Sequence, residues 1–280
     1  MRFAKYHGLG NDYIVLEALE AGDELRPEVV RRICDRHYGL GADGILLGPI
    51  GPGRPFRLRI YNPDGSEAEK SGNGLRIFAR YLLDTGRAGP GALDMVTSAG
   101  PVRAEVLTGG DVRVEMGTVS FQSGCIPVTG PPREVIDEEM TVLGQRLRTC
   151  AATIGNPHCV VLDVPVTAES ARRLGPAIET DPRFPHRTNV QFLEVVDRRT
   201  LRIEIWERGA GYTLASGSSS VAAAAVAVRL GLCERQVTVR MPGGQLQVTI
   251  GPDFAATLLG PVTKIADGTI DPQGLAWRAV

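Results

Sequence analysis

One spacing organises this chain. Gly10-Asn11 recurs as Gly155-Asn156, and Ser71-Gly72 recurs as Ser216-Gly217, each 145 positions later. Ile60-Tyr61 recurs as Ile205-Trp206 and Gly86 as Gly231 at the same offset of 145. Any one pair could arise by chance in a glycine- and alanine-rich chain. One register held over about 75 residues points to a duplicated unit. The order of elements repeats as well. After Gly-Asn comes an apolar run (residues 13–16; 159–162), then a polar helix candidate (26–37; 168–178). A strand pair follows (44–48 and 56–61; 189–195 and 201–206), then a small-residue turn and a long helix (72–85; 217–230). Two further strands close each unit (102–107 and 112–116; 237–241 and 246–250).

Periodicity assigns these elements. Arg57-Leu58-Arg59-Ile60-Tyr61 and Arg202-Ile203-Glu204-Ile205-Trp206 alternate polar with apolar, as half-buried strands do. Leu75, Phe78, Ala79 and Leu82 fall at helical spacing. Residues 221–228 are mostly alanine and read as a closely packed helix. Gly86 and Gly231 stand where a left-handed residue would end each long helix. At 280 residues two domains are expected. The spacing predicts one of residues 1–117 plus 263–280, with the C-terminal tail returning to the first unit, and one of residues 118–262. The Gly- and Pro-rich stretch through Pro131-Pro132 reads as a loop or linker.

Charge narrows the partners. Lys and Arg number 31 against 32 Asp and Glu, so no basic excess exists to meet nucleic acid or a membrane surface. A small charged metabolite needs only one or two local charges. No apolar run reaches the roughly 18 residues that span a bilayer, and the opening MRFAKYHGLGNDYIVL has no apolar core of a signal peptide. A cytoplasmic location is expected. Five cysteines with no CxxC pair read as free thiols, with neither a disulfide framework nor a structural zinc site.

The loops before the two long helices carry the chemistry: Lys70-Ser71-Gly72-Asn73-Gly74 and Ala215-Ser216-Gly217-Ser218-Ser219. A helix start has unpaired N–H groups and the positive end of the dipole, and glycine admits a ligand close to the backbone. In a duplicated fold, equivalent loops are expected to meet about a pseudo-two-fold axis. A carboxylate held between two such termini would have Ser71 and Ser216 on opposite sides of its α-carbon. Read alone, each serine is an ordinary N-cap. Asn62-Pro63-Asp64-Gly65 is a turn signal. Glu207-Arg208 at a strand end is either a surface ion pair or a grip on the two charges of a zwitterion. His158 is either structural or able to orient a neighbouring acid/base group.

The motifs resemble a known family. His7-Gly8-Leu9-Gly10-Asn11-Asp12-Tyr13 is similar to the HGLGNDF opening of the diaminopimelate epimerases, and Gly39-Leu40-Gly41-Ala42-Asp43-Gly44 to their GxGADG/Q segment. Asn62 to Glu67 resembles N-x-DGSE, Gly155-Asn156-Pro157-His158 matches GNPH, and Glu207-Arg208-Gly209 with Gly211 and Thr213 matches ERGxGxT. The resemblance implies an α+β fold of two pseudo-symmetric domains, each a curved, mostly antiparallel sheet or barrel around a central helix. It implies a homodimer with no pyridoxal phosphate and no metal. The implied reaction inverts one α-carbon of LL-diaminopimelate to the meso form, in lysine and cell-wall precursor synthesis. Carried over residue by residue, Asn11, Gly44, Asn62, Asn156, Asn189, Glu207 and Arg208 occupy binding positions, Arg208 pairing with the distal carboxylate. Gly72-Asn73 and Gly217-Ser218 would present backbone donors, and His158 and Glu207 would flank the acid/base pair.

The centre departs from the family pattern. Ser71 and Ser216 stand where CGNG and ACGTG/S place two cysteines. A thiol, with a reference pKa near 8.5, can fall to about 3.5–7.5 at a helix N-terminus, whereas a serine hydroxyl is a far weaker acid. Each pKa unit of mismatch is worth roughly 1.4 kcal/mol. Several readings of the serines stay open on sequence. They are substitutions that trap substrate, or native residues of a slow epimerase, of a one-base isomerase or racemase of another amino acid, or of a non-catalytic amino-acid binder.

Overall fold

Each long helix is buried along most of its length, and the chain achieves this by wrapping a sheet around it. The computed structural model describes residues 1–17 and 24–276; residues 277–280, assigned from sequence to the first unit, lie outside them. The chain divides into a first unit of residues 1–114 with the chain from Gly260 onward, and a second unit of residues 115–259.

The first unit contains β1 (Arg2–Gly8), β2 (Asn11–Leu16), α1 (Pro27–Cys34), β3 (Gly44–Ile50), β4 (Phe56–Tyr61) and β5 (Glu67–Ala68). It continues with α2 (Gly72–Asp84), β6 (Gly91–Thr97), β7 (Gly100–Val106) and β8 (Val112–Thr118). The second unit contains β9 (Glu138–Val142), β10 (Gln145–Thr153), β11 (Pro157–Leu162), α3 (Ala168–Glu179), β12 (Asn189–Asp197) and β13 (Thr200–Glu207). There follow β14 (Gly211–Thr213), α4 (Gly217–Arg229), β15 (Gln236–Met241), β16 (Gly244–Ile250) and β17 (Ala255–Gly260). The chain then returns to the first unit with β18 (Thr263–Thr269) and α5 (Pro272–Ala276).

Strand pairing shows the duplication directly. The first unit runs β18-β1-β2-β3-β4-β6-β7-β8, antiparallel except at β2–β3 and β4–β6. The second runs β9-β10-β11-β12-β13-β15-β16-β17, antiparallel except at β11–β12 and β13–β15. The parallel steps fall at the same two places, and β5 and β14 form equivalent hairpins on β4 and β13. The α+β expectation of a mostly antiparallel sheet around a central helix holds in both units. Leu75, Ile77, Phe78, Ala79 and Leu82 of α2 are buried, and Val221 through Ala227 of α4 are all buried. Alanines let α4 sit close to strands β10 to β13, β15 and β16. The opposite sheet face is covered by α1 in one unit and α3 in the other. Ile33 of α1 packs with Ile14 and Ile45, and Leu174 of α3 with Val161 and Phe192.

Several boundaries differ from expectation. The first polar helix stops at Cys34, because the Asp35 carboxylate accepts the N–H groups of His37 (2.8 Å) and Tyr38 (2.7 Å). Each unit closes with three strands, not two. The strands expected at 102–107 and 112–116 are β7 and β8, whereas those expected at 237–241 and 246–250 are β15 and β16, so they are not repeat counterparts. The overlooked members are β6, which begins in a Gly-Pro-Gly run, and β17. The stretch before Pro131-Pro132 is irregular yet not a solvated linker. Ile126, Val128 and Val135 belong to the second unit's core, and Phe121 meets Phe254 edge-on with centroids 5.1 Å apart.

The contact between α3 and β13 has no slack. A Cβ on Gly175 would lie 2.5 Å from Cγ and 2.6 Å from Cβ of Trp206. The Trp206 indole N–H is held by Glu179 at 2.7 Å, which keeps the ring in place. Gly175→Ala should therefore destabilise the protein by about 1–3 kcal/mol, read as a lower denaturant midpoint with unchanged slope.

Candidate functional site

Both serines cap their helices. Ser71 (φ −138°, ψ 118°) and Ser216 (φ −145°, ψ 127°) are extended residues whose side chains turn back over the first turn. Ser71 Oγ accepts the Gly74 N–H at 3.0 Å, and Ser216 Oγ accepts the Ser219 N–H at 3.4 Å. Each oxygen thus lies at the positive end of a buried helix. Gly72-Asn73 and Gly217-Ser218 form the opening residues of those helices. Ser71 is half-buried and Ser216 is buried.

In the first unit the cap is tied to a polar chain. Arg76 is fully buried in α2 and donates from Nη1 to the Gly72 carbonyl (3.2 Å) and from Nη2 to Asn73 Oδ1 (2.6 Å). Burial lowers its pKa to about 10, so the guanidinium stays charged at neutral pH. Because Asn73 Oδ1 serves Arg76, its Nδ2 turns to Asn11 Oδ1 (2.9 Å), and Asn11 Nδ2 donates to Asp43 Oδ2 (3.0 Å). Arg36 Nη2 bridges Asp43 Oδ1 and Asp12 Oδ1, both at 2.8 Å, and Lys5 Nζ meets Asp12 Oδ2 at 2.9 Å. A Cβ on Gly8 would come within 2.9 Å of Arg76 Nη2, which accounts for the glycine after His7. Tyr13, in β2, reaches Ser71 Oγ from the sheet side with its hydroxyl at 3.0 Å. Gly44 is the register partner of Tyr13, and a Cβ there would lie 2.5 Å from Tyr13 Cε1 and 2.7 Å from the Tyr61 carbonyl. Asn62 joins a separate group. It staples its own turn through Ser66 Oγ (3.0 Å), with Gly65 at φ +92°.

The second unit holds the residues beside its cap by neutral bonds. Gln191, fully buried in β12, donates to Ser219 Oγ at 3.0 Å. Fully buried His158 donates from Nε2 to Asn156 Oδ1 at 2.9 Å. Burial, with a smaller push from Arg208, takes the His158 pKa down to about 3. Asn189 donates to the Pro157 carbonyl and accepts the Arg208 N–H, both at 2.9 Å. Buried Glu179 accepts the Gly209 N–H at 2.9 Å and pairs with Arg187. The turn from half-buried Glu207 through exposed Arg208 is thus anchored from below by Asn189 and Glu179.

Sequence reasoning overlooked Tyr13, Arg76, Gln191 and Glu179. Arg80 pairs with Asp84 at the surface of α2, whereas Arg76, one turn earlier, is fully buried. Tyr13 had a signal, since the 145 offset places it opposite His158.

The diaminopimelate epimerase family model matches residues 3–122 and 150–265. Diaminopimelate epimerase 2 of Nostoc sp. (strain PCC 7120) is 52% identical over 282 residues, covering 100% of this chain and 99% of the relative. The diaminopimelate epimerase of Moorella thermoacetica is 41% identical over 276 residues, covering 96% of this chain and 98% of that one. The chain belongs to the diaminopimelate epimerase family. It is therefore an isomerase of the racemase and epimerase kind. Among solved structures, a probable proline racemase from Agrobacterium radiobacter K84 superposes with a TM-score of 0.73 at 16% identity, covering 98% of this chain and 95% of that one. A hydroxyproline epimerase from Agrobacterium vitis does so with a TM-score of 0.73 at 16% identity, covering 100% and 95%. These last two show the shared fold. No described helix is long and apolar enough to cross a membrane.

His158 in this diaminopimelate epimerase relative should not titrate near neutrality. Its folded pKa of about 3 lies below the ordinary 6.5. Between those values the unfolded chain binds a proton that the folded chain does not, so stability falls as pH drops through this window. The His158 ring resonances should stay fixed from pH 8 to about 5 while the unfolding free energy declines below about pH 6.5. A ring that titrates near 6.5 in the folded protein would contradict the assignment.

Proposed function

We propose that this protein inverts one α-carbon of LL-diaminopimelate to the meso form without pyridoxal phosphate or metal, each unit contributing one acid/base serine. The observation that carries the reading is the 52% identity to Diaminopimelate epimerase 2 over the whole chain. The polar surroundings of Ser71 and Ser216 support it. In this reading the helix starts at Gly72-Asn73 and Gly217-Ser218 bind the reacting α-carboxylate. One serine takes the α-proton and the other delivers a proton to the opposite face. Glu207 and Arg208 bind the distal amino and carboxylate groups, with Asn11, Asn62, Asn156 and Asn189 as polar contacts and Gly44 at the rim of the set. His158, buried and neutral, orients Asn156 and transfers no proton itself. The enzyme serves lysine and cell-wall precursor synthesis as a cytoplasmic homodimer, a placement that rests on the family resemblance.

The serines set the rate. A hydroxyl at a helix start is a poor base beside a thiolate, so turnover is slow in this reading. The serines also favour a second reading, a non-catalytic binder of diaminopimelate. Exchange of the substrate α-proton with deuterium, followed by NMR in D2O, separates the two. The epimerase reading expects slow exchange by the parent chain and an increase of about 10²–10⁴-fold in Ser71→Cys/Ser216→Cys. Stoichiometric binding by calorimetry with no exchange in either protein would establish the binder. Absence of binding removes diaminopimelate as the ligand.

A further inference from the structure

The two units do not treat their serines alike. At the 145 offset Tyr13 of β2 is the counterpart of His158 of β11, and Gly44 is the counterpart of Asn189. The pairing agrees, since Tyr13 faces Gly44 across β2–β3 and His158 faces Asn189 across β11–β12. Each unit therefore sets an aromatic, titratable side chain on the same strand position. In the second unit that side chain bonds to Asn156. In the first it bonds to the cap itself, with Tyr13 Oη and Ser71 Oγ 3.0 Å apart and either oxygen able to donate. Tyr13 is only 7% exposed. Its ring fills the space that any side chain at position 44 would need.

We propose that Tyr13 is the proton partner of Ser71, a positioning residue that holds the cap oxygen and stores the proton passing through it. This rests on the reading that Ser71 is an acid/base group. A phenol has a reference pKa of about 10, several units below a serine hydroxyl, so an anion formed on the pair belongs to Tyr13 rather than to Ser71. When the substrate C–H bond breaks, its electron pair stays on the α-carbon and its proton goes to Ser71 Oγ. The proton already on Oγ passes to the Tyr13 phenolate. In the return direction Oγ gives a proton to carbon and recovers one from the phenol. No electrons are transferred and no co-reactant is required. Ser71 Oγ is held from the helix side as well as by Tyr13. The Gly74 N–H points at Ser71 Oγ, and the buried Arg76 guanidinium polarises the Gly72–Asn73 peptide at the same helix end.

The test is a double-mutant comparison of α-proton exchange in D2O. Tyr13→Phe keeps the ring and removes only the hydroxyl. It should cost at least about 10-fold in the parent chain, within the range of one acid/base group. In the Ser71→Cys background the loss should be several-fold smaller, because a thiol forms its own anion. A merely structural tyrosine would give equal losses in both backgrounds, and that result overturns the relay. Absence of exchange in the parent also overturns it, since the pair then moves no proton. Calorimetric binding of diaminopimelate by that same parent separates this failure from failure of the substrate assignment. Circular dichroism and thermal melting of Tyr13→Phe confirm that each comparison is between folded proteins.

Discussion

A helix buried on all sides must still satisfy its ends, and that requirement shapes the rest of this molecule. The hydrogen bonds within α2 and α4 saturate their interior backbone groups, but burial inside the sheets leaves the first-turn N–H groups and the positive dipole end without bulk water. A serine cap answers part of that need at each helix. What remains is an anion-attracting pole surrounded by β-strand ends. Residues of the strands that wrap the helix, such as Tyr13, Asn11, Gln191 and His158, are delivered to that pole by the wrapping itself.

The two poles have diverged electrically. One carries the buried charge of Arg76, with Asn73 and Asn11 aligned behind it. The other is neutral, with Gln191 on Ser219 and His158 held uncharged by burial. Where Arg76 stands in α2, the offset places Val221 in α4. A duplicated fold thus presents two chemically distinct serine caps. Glycines mark where the surroundings press hardest. Gly8 gives way to the Arg76 guanidinium, and Gly44 to the Tyr13 ring.

Much of this was legible in the sequence. The offset identified the duplication because each unit keeps the same small residues wherever backbone must turn or approach closely, as at Gly10 and Gly155, both with positive φ. Alternation located β4 and β13, and apolar spacing located α2. Strands β6 and β17 were missed although both alternate in burial, because each follows a Gly-Pro pair that reads as a break in structure. The stretch from Phe121 to Val135 is the irregular loop the sequence indicated, but its place in the core was not legible. Its apolar residues follow no regular period, and only their packing against α3 shows them to be core.

The sequence by itself determined the family, the duplicated unit and the capping serines, because these depend on residue type and spacing along the chain. The tertiary structure alone decided the environment of each serine. Whether Tyr13 packs idly or bonds Ser71 depends on residues brought together from 58 positions apart in the chain, and whether Arg76 faces water or lies buried depends on the strands that wrap α2. Burial converts an ordinary arginine into a fixed local charge and an ordinary histidine into a neutral strut, because removal of water sets the energy of charge. That conversion has no counterpart in composition or spacing.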